Sequence, residues 1–281
     1  MALARPTADR SAAARARAVS AAVADWLAQI GAPSAGFYVA ACVGILLTGI
    51  FKGGFGAGPG GIAVVLMTMF ISPADAAGIM LPILCAMDIF GVLAYRRNFS
   101  RQHLRVMLPG AMVGIVLGAL AFGVVPERWV RLFIGVIAVA FALNRYLRIA
   151  ERLGASPRTP GAAVGAVCGA ASGFTSTLAH AGGPPLLVYL LPQRLDKTTF
   201  VGTSVVFFAI VNYTKLLPYY ALGQLSPGNL GLALLFAPLA PIGIWLGILL
   251  ERRIPERPFY AIAYAILFAT GAKLIYDALG H

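Results

Sequence analysis

The sequence predicts an all-α polytopic membrane protein of two homologous halves, each a broken or re-entrant helical segment followed by three transmembrane helices. Three observations carry this expectation. First, 59% of the 281 residues are hydrophobic and 11% are charged, with a mean hydropathy of +0.83. Apolar runs of about 20 residues, enough to cross a hydrocarbon core of about 30 Å, follow one another almost to the C-terminus. Second, two runs rich in glycine and proline, Gly49–Gly61 and Gly173–Pro185, interrupt such segments. Third, the second half repeats landmarks of the first. Charges gather between the apolar runs: from Pro33 to Tyr95 the only ones are Lys52, Asp75 and Asp88, and from Thr159 to Gln193 there is none. A β-barrel would instead show strands of about ten residues with alternating hydropathy.

Residues 1–35 form a basic N-terminal segment. Val19, Val23, Trp26, Leu27 and Ile30 recur at helical spacing, which fits an interfacial amphipathic helix, and a partly disordered tail fits as well. The segment lacks the apolar core of a secretory signal, so no cleavage is expected. Residues 36–147 are the first repeat, with the broken segment Phe37–Ile71 and the spans Ala76–Tyr95, Val106–Val125 and Val130–Leu147. A basic linker, 148–160, carries Arg148, Glu151, Arg152 and Arg158. Residues 161–281 are the second repeat, with the broken segment Gly161–Leu191 and the spans Thr198–Leu222, Leu230–Leu250 and Phe259–Leu279.

At an offset of 124, Gly49 falls on Gly173, Gly58 on Gly182, Gly78 on Gly202 and Asp88 on Asn212. Further along the offset becomes 129, where Gly114 matches Gly243, Gly118 matches Gly247, and Pro126-Glu127-Arg128 matches Pro255-Glu256-Arg257. Glycine and proline remove helix propensity, and a backbone that leaves the helix at membrane depth must be buried in protein or line a wet cavity. Each broken segment therefore reads as two pieces of roughly 10–15 residues, each long enough for half a bilayer. If both pieces enter and leave by one face, the halves are inverted, as in many transporters. The rival is eight ordinary crossings with parallel repeats. Loop charges at Arg96/Arg97/Arg101/Arg105 and Arg252/Arg253/Arg257 partly favour inversion, while the basic N-terminus opposes it.

The net charge of +12 sits at span ends, where cytoplasmic loops collect Lys and Arg, so it marks topology and not nucleic-acid binding. Cys42, Cys85 and Cys168 show no paired spacing and read as packing residues, without a metal or cofactor. Gly110/Gly114/Gly118, Gly243/Gly247 and Gly161/Gly165/Gly169/Gly173 repeat every four residues, which suits close helix packing.

Charged side chains inside a membrane cost at least about 2.5–3.5 kcal/mol at the midplane and usually mark a pathway. Lys52 lies at the end of the first half-helix. The N–H groups around Gly53, Gly54, Gly56 and Gly58, with the positive start of the next half-helix, would attract an anion beside it. The second break offers Thr175, Ser176, Thr177 and His180 as donors, and Gly182 and Gly183 lead into a half-helix that would aim its N-terminus inward. Asp88 and Asn212 are repeat mates. Asp88 is a candidate proton carrier or partner of Lys52, and His180 is a second proton-carrying candidate because its unperturbed pKa is about 6.5. Lys215, three residues after Asn212, adds positive field or, beside Pro218 and Tyr219/Tyr220, anchors an interface. Lys273 and Asp277 read as a helix-end pair. Enzyme signals are poor: Ser172-Gly173 with His180 is the one arrangement that would suit an intramembrane serine hydrolase, and no P-loop occurs.

Gly49-Ile-Phe-Lys-Gly-Gly-Phe-Gly-Ala-Gly58, the stretch Gly169–Pro185 and the segment Thr198–Tyr220, which opens Thr-Thr-Phe-Val-Gly-Thr-Ser, resemble the sulfite exporter TauE/SafE family, also called the toluene sulfonate uptake permease family. The resemblance covers about residues 36–279. It implies a multi-pass permease of the bacterial inner membrane for sulfite, sulfoacetate or other organosulfonates, driven by an ion gradient. The His-containing second motif departs from that pattern. The expected partners are a small anion, the lipid bilayer and a proton or sodium coupling ion, with a homodimer left open. A passive anion channel is the alternative to a carrier.

Overall fold

A computed structural model describes residues 34–56, 61–122 and 159–279, with scattered positions between 124 and 143. The N-terminal segment, most of the span 130–147, the basic linker and Gly58 lie outside the described residues. The helices are α1 (Ala35–Phe55), α2 (Ile62–Met67), α3 (Pro73–Tyr95), α4 (Arg101–Ala121), α5 (Ala162–Ala179), α6 (Gly183–Leu190), α7 (Lys197–Ala221), α8 (Pro227–Phe236), α9 (Leu239–Arg253) and α10 (Glu256–Ala278). Among the described residues six are long and apolar enough to cross a membrane, and α8 with α9, bent by 47°, is apolar enough to be either a broken seventh span or a re-entrant loop. The expected continuous span Leu230–Leu250 is thus broken near Pro238, which has no N–H to continue the ladder and crowds the preceding turn. Val116, Leu120, Leu217, Leu234 and Trp245 stand exposed on the outside. Such a surface suits lipid and not water.

The chain starts its helices where the local chemistry directs. Ser72, Ser100, Asp196 and Ser226 each accept a hydrogen bond from the backbone N–H three residues on, and Pro73 and Pro227 occupy the first turn. The two broken segments differ from the expected pairs of equal half-helices. In the first, α1 has 21 residues and α2 only 6; in the second, α5 has 18 and α6 has 8. The runs before the breaks hold enough apolar residues to stay helical up to the last glycines, so only the returning arm is short.

Glycine contacts define the course of the chain. A Cβ at Gly44 would meet Ala63 and one at Gly36 would meet the Phe70 ring, so α2 runs back along α1 and the first hairpin opens at one end of the bundle. Next, α3 carries the chain to the other end, where Tyr95 meets Gly53. The second hairpin opens there, with Gly165 against Tyr189. Gly78 lies against Gln224 and Gly202 against Asn98, so α7 runs antiparallel to α3. Gly49 and Gly54 of α1 pack on Gly243 and Gly247 of α9, and Gly110 and Gly114 of α4 pack on Ala166 and Ala170 of α5. In the second of these contacts a Cβ at Gly114 would stand 2.0 Å from the Ala170 carbonyl oxygen. The absence of a side chain is what lets these backbones touch.

Candidate functional site

Both long hairpin arms end on a residue with positive φ, Gly56 at φ 70° and His180, in the left-handed α conformation, at φ 50°. These residues are 124 apart. Gly56 takes this shape without steric cost, and a Cβ there would also collide with Ser204 at 2.5 Å. His180 carries a side chain at the corresponding position, and its ring is buried in the bundle. The second shared feature is a tyrosine lock. Tyr95 donates to the Gly53 carbonyl and Tyr219 to the Thr177 carbonyl, each at 2.8 Å, and both donors and acceptors are again 124 apart. The two breaks approach each other where a Cβ at Gly61 would lie 3.5 Å from the Ala179 carbonyl oxygen.

Two buried polar clusters fill the space between the hairpins and the α3/α7 pair. In the first, Lys52, in the last turn of α1, forms an ion pair with Asp88 of α3, Nζ to Oδ1 2.8 Å. The other carboxylate oxygen accepts from Asn212 Nδ2 of α7 at 2.8 Å. In the second, Lys215 Nζ donates to the Ser176 carbonyl at 3.0 Å and the Ser176 hydroxyl oxygen at 2.9 Å, and faces His180 Nδ1 at 3.1 Å. His180 Nε2 lies 3.1 Å from the Ala77 carbonyl. Asn212 and Lys215, three residues apart on α7, bring the clusters within about one helical turn.

The charges of the two clusters do not balance. Asp88 neutralises Lys52. Lys215 is 0% exposed, and among the described residues no carboxylate lies within ion-pair distance of it. Its support is the negative end of α5, through the Ser176 carbonyl, together with neutral acceptors. A fully buried cation held this way corrects the reading of Lys215 as an interfacial anchor. The sequence misled because Pro218, Tyr219 and Tyr220 look like a membrane-interface belt, yet Tyr219 is fully buried.

Other expected donors are already engaged. Thr175 Oγ1 donates into the Ala171 carbonyl at 2.8 Å and Thr177 Oγ1 into the Gly173 carbonyl at 2.8 Å. Ser172 donates to the Gly182 carbonyl at 2.7 Å, not to His180, so these two do not form a nucleophile–base pair. The α6 N-terminus has prolines at 184 and 185; neither has an N–H, and Gly182 and Gly183 hold the turn. Gly53 and Gly54 are filled from outside by Ile244 and Gly247, so they serve packing. The Ser176 hydroxyl proton has no acceptor among the described residues. Thr48, one turn before Lys52, has a buried hydroxyl with no hydrogen-bond partner among them. Tyr95 and Thr48 were not singled out from the sequence, and Tyr219 was read only as a sign of a membrane interface. Applying the 124 offset to aromatic residues would have paired the two tyrosines.

Helices that cross, breaks that meet inside the bundle and charges buried at those breaks define an α-helical polytopic membrane protein with an internal polar site. A sequence model of the sulfite exporter TauE/SafE family matches residues 41–274. The chain belongs to that family, one of membrane transporters. No curated protein and no solved structure matches the chain.

Proposed function

We propose that this protein is a secondary-active carrier for small sulfur-containing anions, sulfite or organosulfonates, in the bacterial inner membrane. The observation that carries the reading is the surplus charge of the site: two buried lysines against one buried aspartate. A buried cation without a counter-ion is costly and recruits an anion. Lys215, with the Ser176 and Thr48 hydroxyls as spare donors, supplies what a tetrahedral or pyramidal oxyanion needs, and Lys52–Asp88 forms the adjacent wall. Asp88 or His180 couples the movement to protons.

We further read residues 36–147 and 161–281 as inverted repeats. The hairpins opening at opposite ends, the antiparallel α3 and α7, and the two tyrosine locks at one offset support this. Alternating access then rocks one half against the other about the Asp88–Asn212 contact. The test is uptake into proteoliposomes. Concentrative uptake of sulfite or an organosulfonate under an imposed ion gradient is expected, whereas downhill flux alone indicates a channel and no flux of either anion removes the reading.

A further inference from the structure

A cavity of about 50 Å³ lies at the end of the bundle where α3 begins. On this measure a water needs about 10–15 Å³, so a few waters fit by volume, against a lining that is mostly apolar and includes Ile62, Val64, Leu178 and Leu274. Ala77 and the two residues flanking His180, Ala179 and Ala181, form its inner wall; Thr270, Lys273 and Asp277 of α10 supply its polar groups. Lys273 pairs with Asp277 at 2.9 Å and its side chain is 42% exposed, so the cavity reaches the surface.

His180 stands between this cavity and Lys215. The Ala77 carbonyl can only accept, so Nε2 carries the ring proton and Nδ1 accepts from the Lys215 ammonium. A second arrangement needs no side chain to leave its place. In it the Tyr219 hydroxyl, 3.3 Å from Nε2, turns its proton from the Thr177 carbonyl to Nε2, Nδ1–H donates to a neutral Lys215 amine, and the amine still donates twice to Ser176. The two arrangements differ by one proton. The groups facing this pair are Cys85 and Asp88 from α3, Lys52 from α1, Ser176 from α5 and Tyr219 from α7. Of these Asp88 is already held by Lys52 and Asn212.

Resting on the carrier reading above, we propose that this cavity is the water path by which protons reach the anion site, and that His180 relays them to Lys215. The Tyr219 O–H turns back to the Thr177 carbonyl and frees Nε2, which takes a proton from a hydronium on the cavity side, leaving water. As that N–H bond forms, the Nδ1–H bond breaks and its proton joins Lys215 Nζ, which becomes the ammonium. The anion site is positive only when loaded with that proton, so proton and anion bind with positive coupling and travel together. For an anion of fixed charge, affinity is full at acid pH and falls as pH rises, by up to about tenfold per pH unit for one linked proton.

The test uses the full chain in proteoliposomes with methanesulfonate, whose charge is constant across neutral pH. His180→Gln can still donate to Ala77 but cannot relay, and should lose proton-driven uptake while the pH dependence of affinity, which belongs to the Lys215 proton, persists. Thr270→Phe fills the cavity and should slow proton-driven uptake by about tenfold or more while methanesulfonate exchange keeps its rate. An unchanged proton-driven rate in either variant overturns the proposal. Should either variant fail to fold, wild-type protein in weak buffer should take up one proton per methanesulfonate bound, and none taken up overturns it equally. Absence of methanesulfonate, sulfite and sulfoacetate binding to the wild type is a different result, which removes the carrier reading itself.

Discussion

Lys52 Nζ stands 2.8 Å from Asp88 Oδ1, with the two side chains 8% and 0% exposed. Removing one partner of a buried pair strands the other, at a cost of about 3–5 kcal/mol, whereas removing both is often close to neutral. Asp88→Asn and Lys52→Met should each lower the midpoint of denaturation in detergent, and the double variant should recover most of the loss. Additive losses in that cycle would show that the pair is not the unit of stability.

Lys215 behaves differently because no carboxylate depends on it. Lys215→Met should destabilise the protein less than Asp88→Asn, since removing the ammonium also removes its desolvation cost. Anion affinity should fall by about tenfold to a hundredfold, the worth of a lost hydrogen bond from a charged group, roughly 1.5–3 kcal/mol. Isothermal calorimetry with sulfite measures this. Retained affinity would place the anion elsewhere.

The two tyrosine locks separate structure from transport. Tyr95→Phe and Tyr219→Phe each leave a buried carbonyl without its donor, so each should cost about 1–3 kcal/mol. Only Tyr219 also touches His180. Proton-driven uptake, corrected for the amount of folded protein, should therefore drop in Tyr219→Phe and stay level in Tyr95→Phe.

One glycine of the expected ladder in α5 is not part of the packing. A Cβ at Gly173 would meet the Ala111 carbonyl oxygen at 2.2 Å, whereas one at Gly161 meets nothing within 4 Å. Gly173→Ala should reduce the yield of monodisperse protein and its stability by about 1–3 kcal/mol through overpacking. Gly161→Ala should leave both unchanged, as size-exclusion chromatography and thermal unfolding will report.

Much of this architecture was legible in the chain because its causes are local. The six long helices follow from apolar length, and the breaks follow from Gly and Pro. Four-residue glycine spacing in α4 and α5 announced close packing on those faces, although not that the two pack on each other or that Gly161 lies beyond the contact. Equal half-helices were not a safe expectation, because the position of a break within a hairpin depends on how far the partner helix supports the last turn. The α1 helix continues to Phe55 while its glycines pack on α9. The hydroxyls at 175 and 177 were read as ligands for an anion, yet a threonine in a helix first meets the carbonyl four residues back.

By itself the sequence determined that this chain crosses a membrane as helices, that it breaks twice, and that Lys52, Asp88 and His180 lie deep within it. Those outcomes depend on hydropathy and backbone propensity, which act residue by residue. Only the tertiary structure decided that Asp88 neutralises Lys52 and that Lys215 is left to His180 and the end of α5. The choice between two lysines for one aspartate turns on how α1, α3 and α7 are rotated against each other, and that rotation is set by packing among many residues far apart in the chain.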